Sequence, residues 1–167
     1  MRLLALDPAL RNSGYAILEK QGSKLGAIAY GVIRNNAQQS MPGCLLEIHR
    51  QIDQLIRLYS PEACAVEGLI YVQNLRTAMI LGAARGSALL AAAQHGMPIY
   101  EYPPRRVKQA VVGHGAAQKS QVGYMVRSLL GLTETPEADA ADAIAIGLTH
   151  FQMSSSPISV HRANRPL

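Results

Sequence analysis

Long apolar runs are missing from this sequence of 167 residues. No stretch approaches the roughly 18 consecutive apolar residues that a membrane-spanning helix needs, which excludes such a span. The opening decapeptide, MRLLALDPAL, has too short an apolar run and an acid too early to read as a secretory signal. Cysteine is scarce as well. Cys44 and Cys64 are the only two, and they form neither a disulfide framework nor a CxxC metal knuckle. Reduced thiols in a cytoplasmic protein are the simplest reading. Charged residues amount to 16% against 49% apolar, a globular composition rather than a disordered one. A compact chain of this size buries about 70% of its unfolded surface and folds without staples. Acids are in deficit, 11 against 16 basic residues, for a net charge of +5. Aspartate is rarest among them, with only Asp7, Asp53, Asp139 and Asp142.

The excess charge is concentrated. Between Gly68 and Thr133 lie Arg76, Arg85, Arg105, Arg106, Lys108, Lys119 and Arg127, with Glu101 the single acid, so that segment carries +6 and the rest of the chain −1. Counterion release rewards clustered cations, and a segment of this kind reads as a nucleic-acid footprint. Arg105, Arg106 and Lys108, three cations in four residues, are candidate contacts to phosphate. Arg76 belongs to the same expected footprint. The competing reading, a solvated basic face, is common in proteins without a nucleic-acid partner.

Residues 2–7 (RLLALD) read as a buried strand ending on a carboxylate, and 14–20 and 26–34 as two further strands joined by short turns, an antiparallel meander. Apolar residues from Leu45 to Tyr59 recur at helical spacing up to a stop at Ser60 and Pro61. A short strand over 63–68 carries Glu67. A helix over about 73–95 follows, apolar nearly all round, with Gly82 and Gly86 four apart. Such a helix is expected to be buried twice, on the sheet and against something else. A fifth strand spans 97–102, and an irregular basic helical stretch begins at Pro103. Thr135 as N-cap, Pro136 at N1 and Glu137 in the first turn predict a last helix running to about Met153. This order implies one mixed α/β domain over 1–153 with a five-stranded sheet flanked by helices, and a tail over 154–167 without fixed structure.

Four acids stand in apolar settings. Asp7 ends the first strand, Glu67 ends the fourth, and Asp139 and Asp142 lie three apart on one face near the start of the last helix. Taken singly each has a bland account: a turn aspartate before Pro8, a solubilising strand end, acids matched to a helix dipole. Taken together, and with three of the four aspartates in the set, they read as a metal centre. Converging carboxylates raise one another's pKa unless a cation relieves them. An all-oxygen set suits Mg²⁺, with Mn²⁺ able to substitute, and two such ions about 3.5–4 Å apart are common in phosphodiester cleavage.

The stretches LALDPALRNSGYAIL, LGAARG, RRVKQAVVGHGAAQKSQVGYMVRSLLG and EADAADAIAIGLTH closely resemble the RuvC family of bacterial Holliday-junction resolvases, from about residue 2 to 151. The resemblance implies a ribonuclease-H-like fold, a homodimer, two Mg²⁺ per active site and paired nicks across a four-way DNA junction during recombination and repair. It also implies the RuvA–RuvB branch-migration complex as a partner. By motif it assigns catalysis and metal binding to Asp7, Glu67, Asp139 and Asp142, and functional lysines to Lys108 and Lys119. Lys119 would place its cation on the scissile or a neighbouring phosphate.

Two departures stand out. Ala9 replaces the family's usual glycine, and Glu67 is followed by Gly68-Leu69-Ile70-Tyr71 where the family has a glutamine and then an aromatic wedge. Tyr71 is a candidate to stack on a base in its place. His114, between two glycines, reads as a loop residue, and His150 as a satisfied helix histidine rather than a ligand. The alternatives are a ribonuclease-H-like nuclease acting on RNA, as in the YqgF relatives, and a non-catalytic junction-binding scaffold. The scaffold would lack one of the four acids, and the RNA nuclease would lack the long basic segment and the apolar helix. That helix is expected to pair two copies, matching the two equivalent strands of a junction.

Overall fold

The structure, a computed structural model, describes residues 1–68, 74–154 and 166–167. Among these residues ten elements follow one another: β1 (Arg2–Asp7), β2 (Asn12–Gln21), β3 (Lys24–Arg34), α1 (Met41–Tyr59), β4 (Ala63–Glu67), α2 (Leu75–Gln94), β5 (Ile99–Tyr102), α3 (Pro104–Val112), α4 (Lys119–Leu130) and α5 (Ala138–Ser154). The strands form a single sheet in the order β3-β2-β1-β4-β5. β1, β2 and β3 make the antiparallel meander, while β4 joins β1 and β5 joins β4 in parallel.

Strand periodicity divides the core in two. Leu3 and Ala5 of β1, with Ala16 and Leu18 of β2, face a layer made by α3, α4 and α5. Leu4 and Leu6, with Ile17, face α1 and α2. α1 meets its face with Cys44, Ile48, Ile52 and Ile56 at helical spacing. Ser40 caps it by accepting from the Gly43 N–H, and Ser60 ends it in the left-handed region at φ 48°, before Pro61. Both thiols are buried and unpaired, and burial pushes Cys64 up to about 12. No described helix is long and apolar enough to cross a membrane.

The structure changes three local expectations. The irregular basic stretch resolves into α3 and α4, broken where Gly113 takes φ 93°. The last helix starts at Ala138, not after a Thr135 cap. Ala141 N–H donates to the Glu137 carbonyl at 2.8 Å, and the Glu137 carboxylate pairs with Arg34 at the end of β3. Pro136 disfavours helical backbone at Thr135, whose methyl instead packs against Gly123 of α4. Arg85, counted in the basic segment, is buried and paired, so it offers no charge to an outside anion. Ser154 closes α5, most of the expected tail lies outside the described residues, and the Leu167 N–H donates to the Ile99 carbonyl at 2.8 Å.

Candidate active site

The parallel register aligns Leu6 with Val66, so Asp7 and Glu67, the next residue on each strand, emerge at the same edge of the sheet. α5 begins over that edge. Asp139 lies in its first turn and Asp142 three residues on. Carboxylate oxygens of Asp7, Asp139 and Asp142 lie within 4.8 Å of one another, each residue half-buried. Glu67 is outside that tight trio, yet its charge is the largest of those acting on Asp7.

Gly14 makes the approach possible. It pairs with Asp7 across β1 and β2, and a Cβ there would stand 1.9 Å from the Asp139 carbonyl oxygen. Only a residue without a side chain lets the backbone of α5 lie so close to the strand beside Asp7. Ala9 needs no such freedom. Among the described non-glycine residues only Ser60 has positive φ, so an alanine sits in the first loop without strain.

Burial, and then the charges of Glu67, Asp142 and Asp139, push the Asp7 carboxyl up to about 7, with Lys119 pulling the other way. Glu67 is also raised, by burial first and then by Asp142, while Lys119, Lys108 and Arg85 oppose the shift. Without a cation the anionic forms of Asp7 and Glu67 are thus disfavoured, and the donors are all hard oxygens. That chemistry fits a divalent cation of the Mg²⁺ or Mn²⁺ type.

The cations fall into three groups. Lys119 opens α4, where the Gln121 side chain accepts from the Gln118 N–H at 2.8 Å, and its ammonium donates to Asp142 Oδ2 at 2.9 Å. That hydrogen bond raises the Lys119 pKa and keeps the ammonium charged. Lys108 lies on α3, half-buried, near enough for its charge to favour ionised Glu67. Arg105 and Arg106 are exposed on the same helix, and Arg76 is exposed in the first turn of α2. Tyr71 and Ile70 lie outside the described residues.

The two histidines singled out differ in setting. His114 is exposed between α3 and α4. His150 is buried, its Nδ1 2.9 Å from the Tyr102 hydroxyl, and burial holds its pKa down at about 4. It lies far along α5 from the acids, packed among Tyr100, Tyr102 and Phe151.

Sequence reasoning did not single out Gly14, or Glu101 as the partner of Arg85. The signal for Gly14 was faint, one glycine in a strand opposite the candidate aspartate. For the pair it was stronger: a lone arginine in the middle of an apolar helix, and the only acid of a basic segment.

The family model described as crossover junction endodeoxyribonuclease RuvC matches residues 3–150. A protein of that name from Akkermansia muciniphila is 50% identical over 165 residues, covering 99% of this chain and 98% of that one. Another from Alkaliphilus metalliredigens is 44% identical over 151 residues, covering 90% and 92%. The structure of T. thermophilus RuvC in complex with a Holliday junction substrate superposes with a TM-score of 0.88 at 34% identity, covering 100% of this chain and 99% of that one. The sheet order and helix layers are accordingly those of the ribonuclease-H-like RuvC fold. With the match running from β1 through α5, the chain belongs to the RuvC family of crossover junction endodeoxyribonucleases.

Proposed function

We propose that this protein resolves four-way DNA junctions in recombination and repair by paired, symmetric hydrolytic nicks, using Asp7, Glu67, Asp139 and Asp142 to hold two Mg²⁺ ions, for which Mn²⁺ substitutes. The observation that carries the reading is the trio of carboxylates within 4.8 Å, with Asp7 pushed up to about 7. When bound, the metal supplies Lewis acidity at the phosphate and a water of lowered pKa. The chain's own groups do the rest. Asp142 and Lys119 hold each other at the rim, so the ammonium is fixed where a phosphate oxygen bordering the acids would meet it. Lys108, whose charge reaches Glu67, is the backbone contact beside the site, Arg105 and Arg106 continue it along α3, with Arg106 bonded to Met153 toward the far end of α5, and Arg76 adds an exposed cation at the start of α2. Tyr71 is the candidate for stacking on an unpaired base.

The assembly follows from α1 and α2. Between them runs an apolar groove lined by Leu45, Leu46, Ala83, Gly86 and Leu90. Leu46 and Met79 are about two-thirds exposed, and Leu90 more than half. A Cβ at Gly82 or Gly86 would meet nothing. Burying this stripe against a second copy, at about 25 cal/mol per Å², drives a homodimer with two active sites for two equivalent strands. On the family resemblance we also propose RuvA–RuvB as the partner assembly and the cytoplasm as the location. The nuclease domain extends through α5, which closes at Ser154.

One assay tests the reading. Labelled four-way junction, linear duplex and RNA–DNA hybrid are incubated with the protein in Mg²⁺ and in EDTA. Cleavage of the junction alone, in Mg²⁺ alone, is expected. Preferential cleavage of the hybrid would favour an RNA-directed nuclease instead, and no cleavage in Mg²⁺ with retained junction binding would favour a scaffold.

A further inference from the structure

Arg85 sits mid-helix on α2 with its side chain only 8% exposed. A buried guanidinium is retained only where its donors are satisfied, and its two arms go to different strands. One nitrogen donates to the main-chain carbonyl of Glu67, the other to the Glu101 carboxylate on β5. β4 ends at Glu67. In the β4–β5 ladder Val66 pairs with Glu101 and Glu67 with Tyr102. Just beyond, the Gly68 N–H donates to the Tyr102 carbonyl at 2.8 Å, and a Cβ at Gly68 would come within 3.1 Å of Glu101 Oε1. The Glu67 backbone is therefore fixed from the β5 side by the ladder and by the Gly68 bond, and from the helix side by the guanidinium.

We propose that Arg85, locked by Glu101, is a positioning residue that fixes the Glu67 backbone and so aims its carboxylate toward Asp7 and Asp142. The proposal rests on the reading of the four acids as the metal site. Arg85 touches neither substrate nor metal in this account and acts through the main chain of Glu67. Two roles are separable. If charge alone mattered, lysine would serve. If the fork matters, lysine fails, because one ammonium on a flexible stem does not reproduce a planar pair of donors spanning two strands.

The test uses the metal-free full chain titrated with Mn²⁺, with the unbound ion read by electron paramagnetic resonance. Circular dichroism melts and junction binding in EDTA are measured beside it. Arg85→Lys and Glu101→Gln are each expected to weaken Mn²⁺ binding about 10-fold, the low end for residues that orient metal ligands. The double variant should be no weaker than the worse single one, because the two act as a unit. Junction binding in EDTA should not change. A merely structural role would lower the melting temperature and leave Mn²⁺ affinity alone, which would overturn the proposal. Wild-type affinity in Arg85→Lys would overturn it too, in favour of charge. Should that variant fail to fold, Glu101→Gln carries the test, and wild-type affinity there is equally fatal. Absence of Mn²⁺ binding by the unaltered protein would instead bring down the metal-site reading, and this proposal with it.

Discussion

Gly14 and Asp139 meet backbone to backbone. A methyl group at residue 14 would stand 1.9 Å from the Asp139 carbonyl oxygen and 2.6 Å from its carbon. Because Gly14 also pairs with Asp7 in the sheet, this contact sets how close the start of α5 comes to β1, and with it the spacing of the carboxylates.

Gly14→Ala should therefore push α5 off the sheet edge. The obstacle is main chain, which cannot rotate aside, so a cost of about 1–3 kcal/mol from overpacking is expected. Mn²⁺ affinity should fall together with stability. A denaturant melt and a metal titration on the same preparation check this, and an alanine variant with unchanged Mn²⁺ affinity would show that the close approach does not set the spacing.

Asp7 links stability to pH and, through the proposed site, to metal. Its folded pKa, about 7, lies above the ordinary 3.8, so its protonated form favours the fold. That contribution is present at low pH and is lost as pH rises from about 4 through 7. At pH 8 without metal the ionised group costs on the order of 4 kcal/mol. Asp7→Asn should then be more stable than the unaltered protein at pH 8 in EDTA, and the difference should vanish near pH 4. Mg²⁺ should raise the melting temperature of the unaltered protein and not that of the variant.

His150 contributes with the opposite sign. Its folded pKa is about 4 against an ordinary 6.5, so folding favours the neutral ring. Stability from this group is complete above pH 6.5 and is lost as pH falls toward 4, on the order of 3 kcal/mol in all. The window overlaps that of Asp7, and the two slopes oppose each other. The Asp7→Asn background exposes the histidine slope. A nuclear magnetic resonance titration placing His150 near 6.5 would contradict the burial argument.

Much of this site was legible in the sequence because strand ends and helix faces are local patterns. Asp7 and Glu67 each close a short apolar run, and Asp139 and Asp142 share a face by their spacing alone. That β1 and β4 lie side by side in parallel is a matter of topology, which the order of elements suggests and only the hydrogen-bonded register displays. The N-terminus of α5 was misplaced because Thr135-Pro136-Glu137 carries a good cap pattern, while the tertiary pull of Arg34 on Glu137 and the packing of Thr135 on Gly123 defer the helix to Ala138. Arg85 was misread for a different reason. Counting charges along a segment says nothing of which side of a helix faces in, and the acid that neutralises it is 16 residues away.

The groove between α1 and α2 makes a further prediction. Gly86→Leu places a side chain into open space in the isolated chain, so the fold should hold while the proposed subunit interface is blocked. Sedimentation should show a dimer becoming a monomer at micromolar concentration, and junction cleavage should change from paired to single nicks. A dimer that survives Gly86→Leu would move the interface elsewhere.

The most direct measurement is junction cleavage by Asp7→Asn in Mg²⁺, with junction binding measured on the same preparation. The isosteric amide removes one donor of the carboxylate trio and its charge, so cleavage should be abolished while binding is retained or tightened by reduced repulsion of phosphate. Cleavage at the rate of the unaltered protein would contradict the account, because the acids at the β1–β4 edge would then not be where the phosphodiester is hydrolysed.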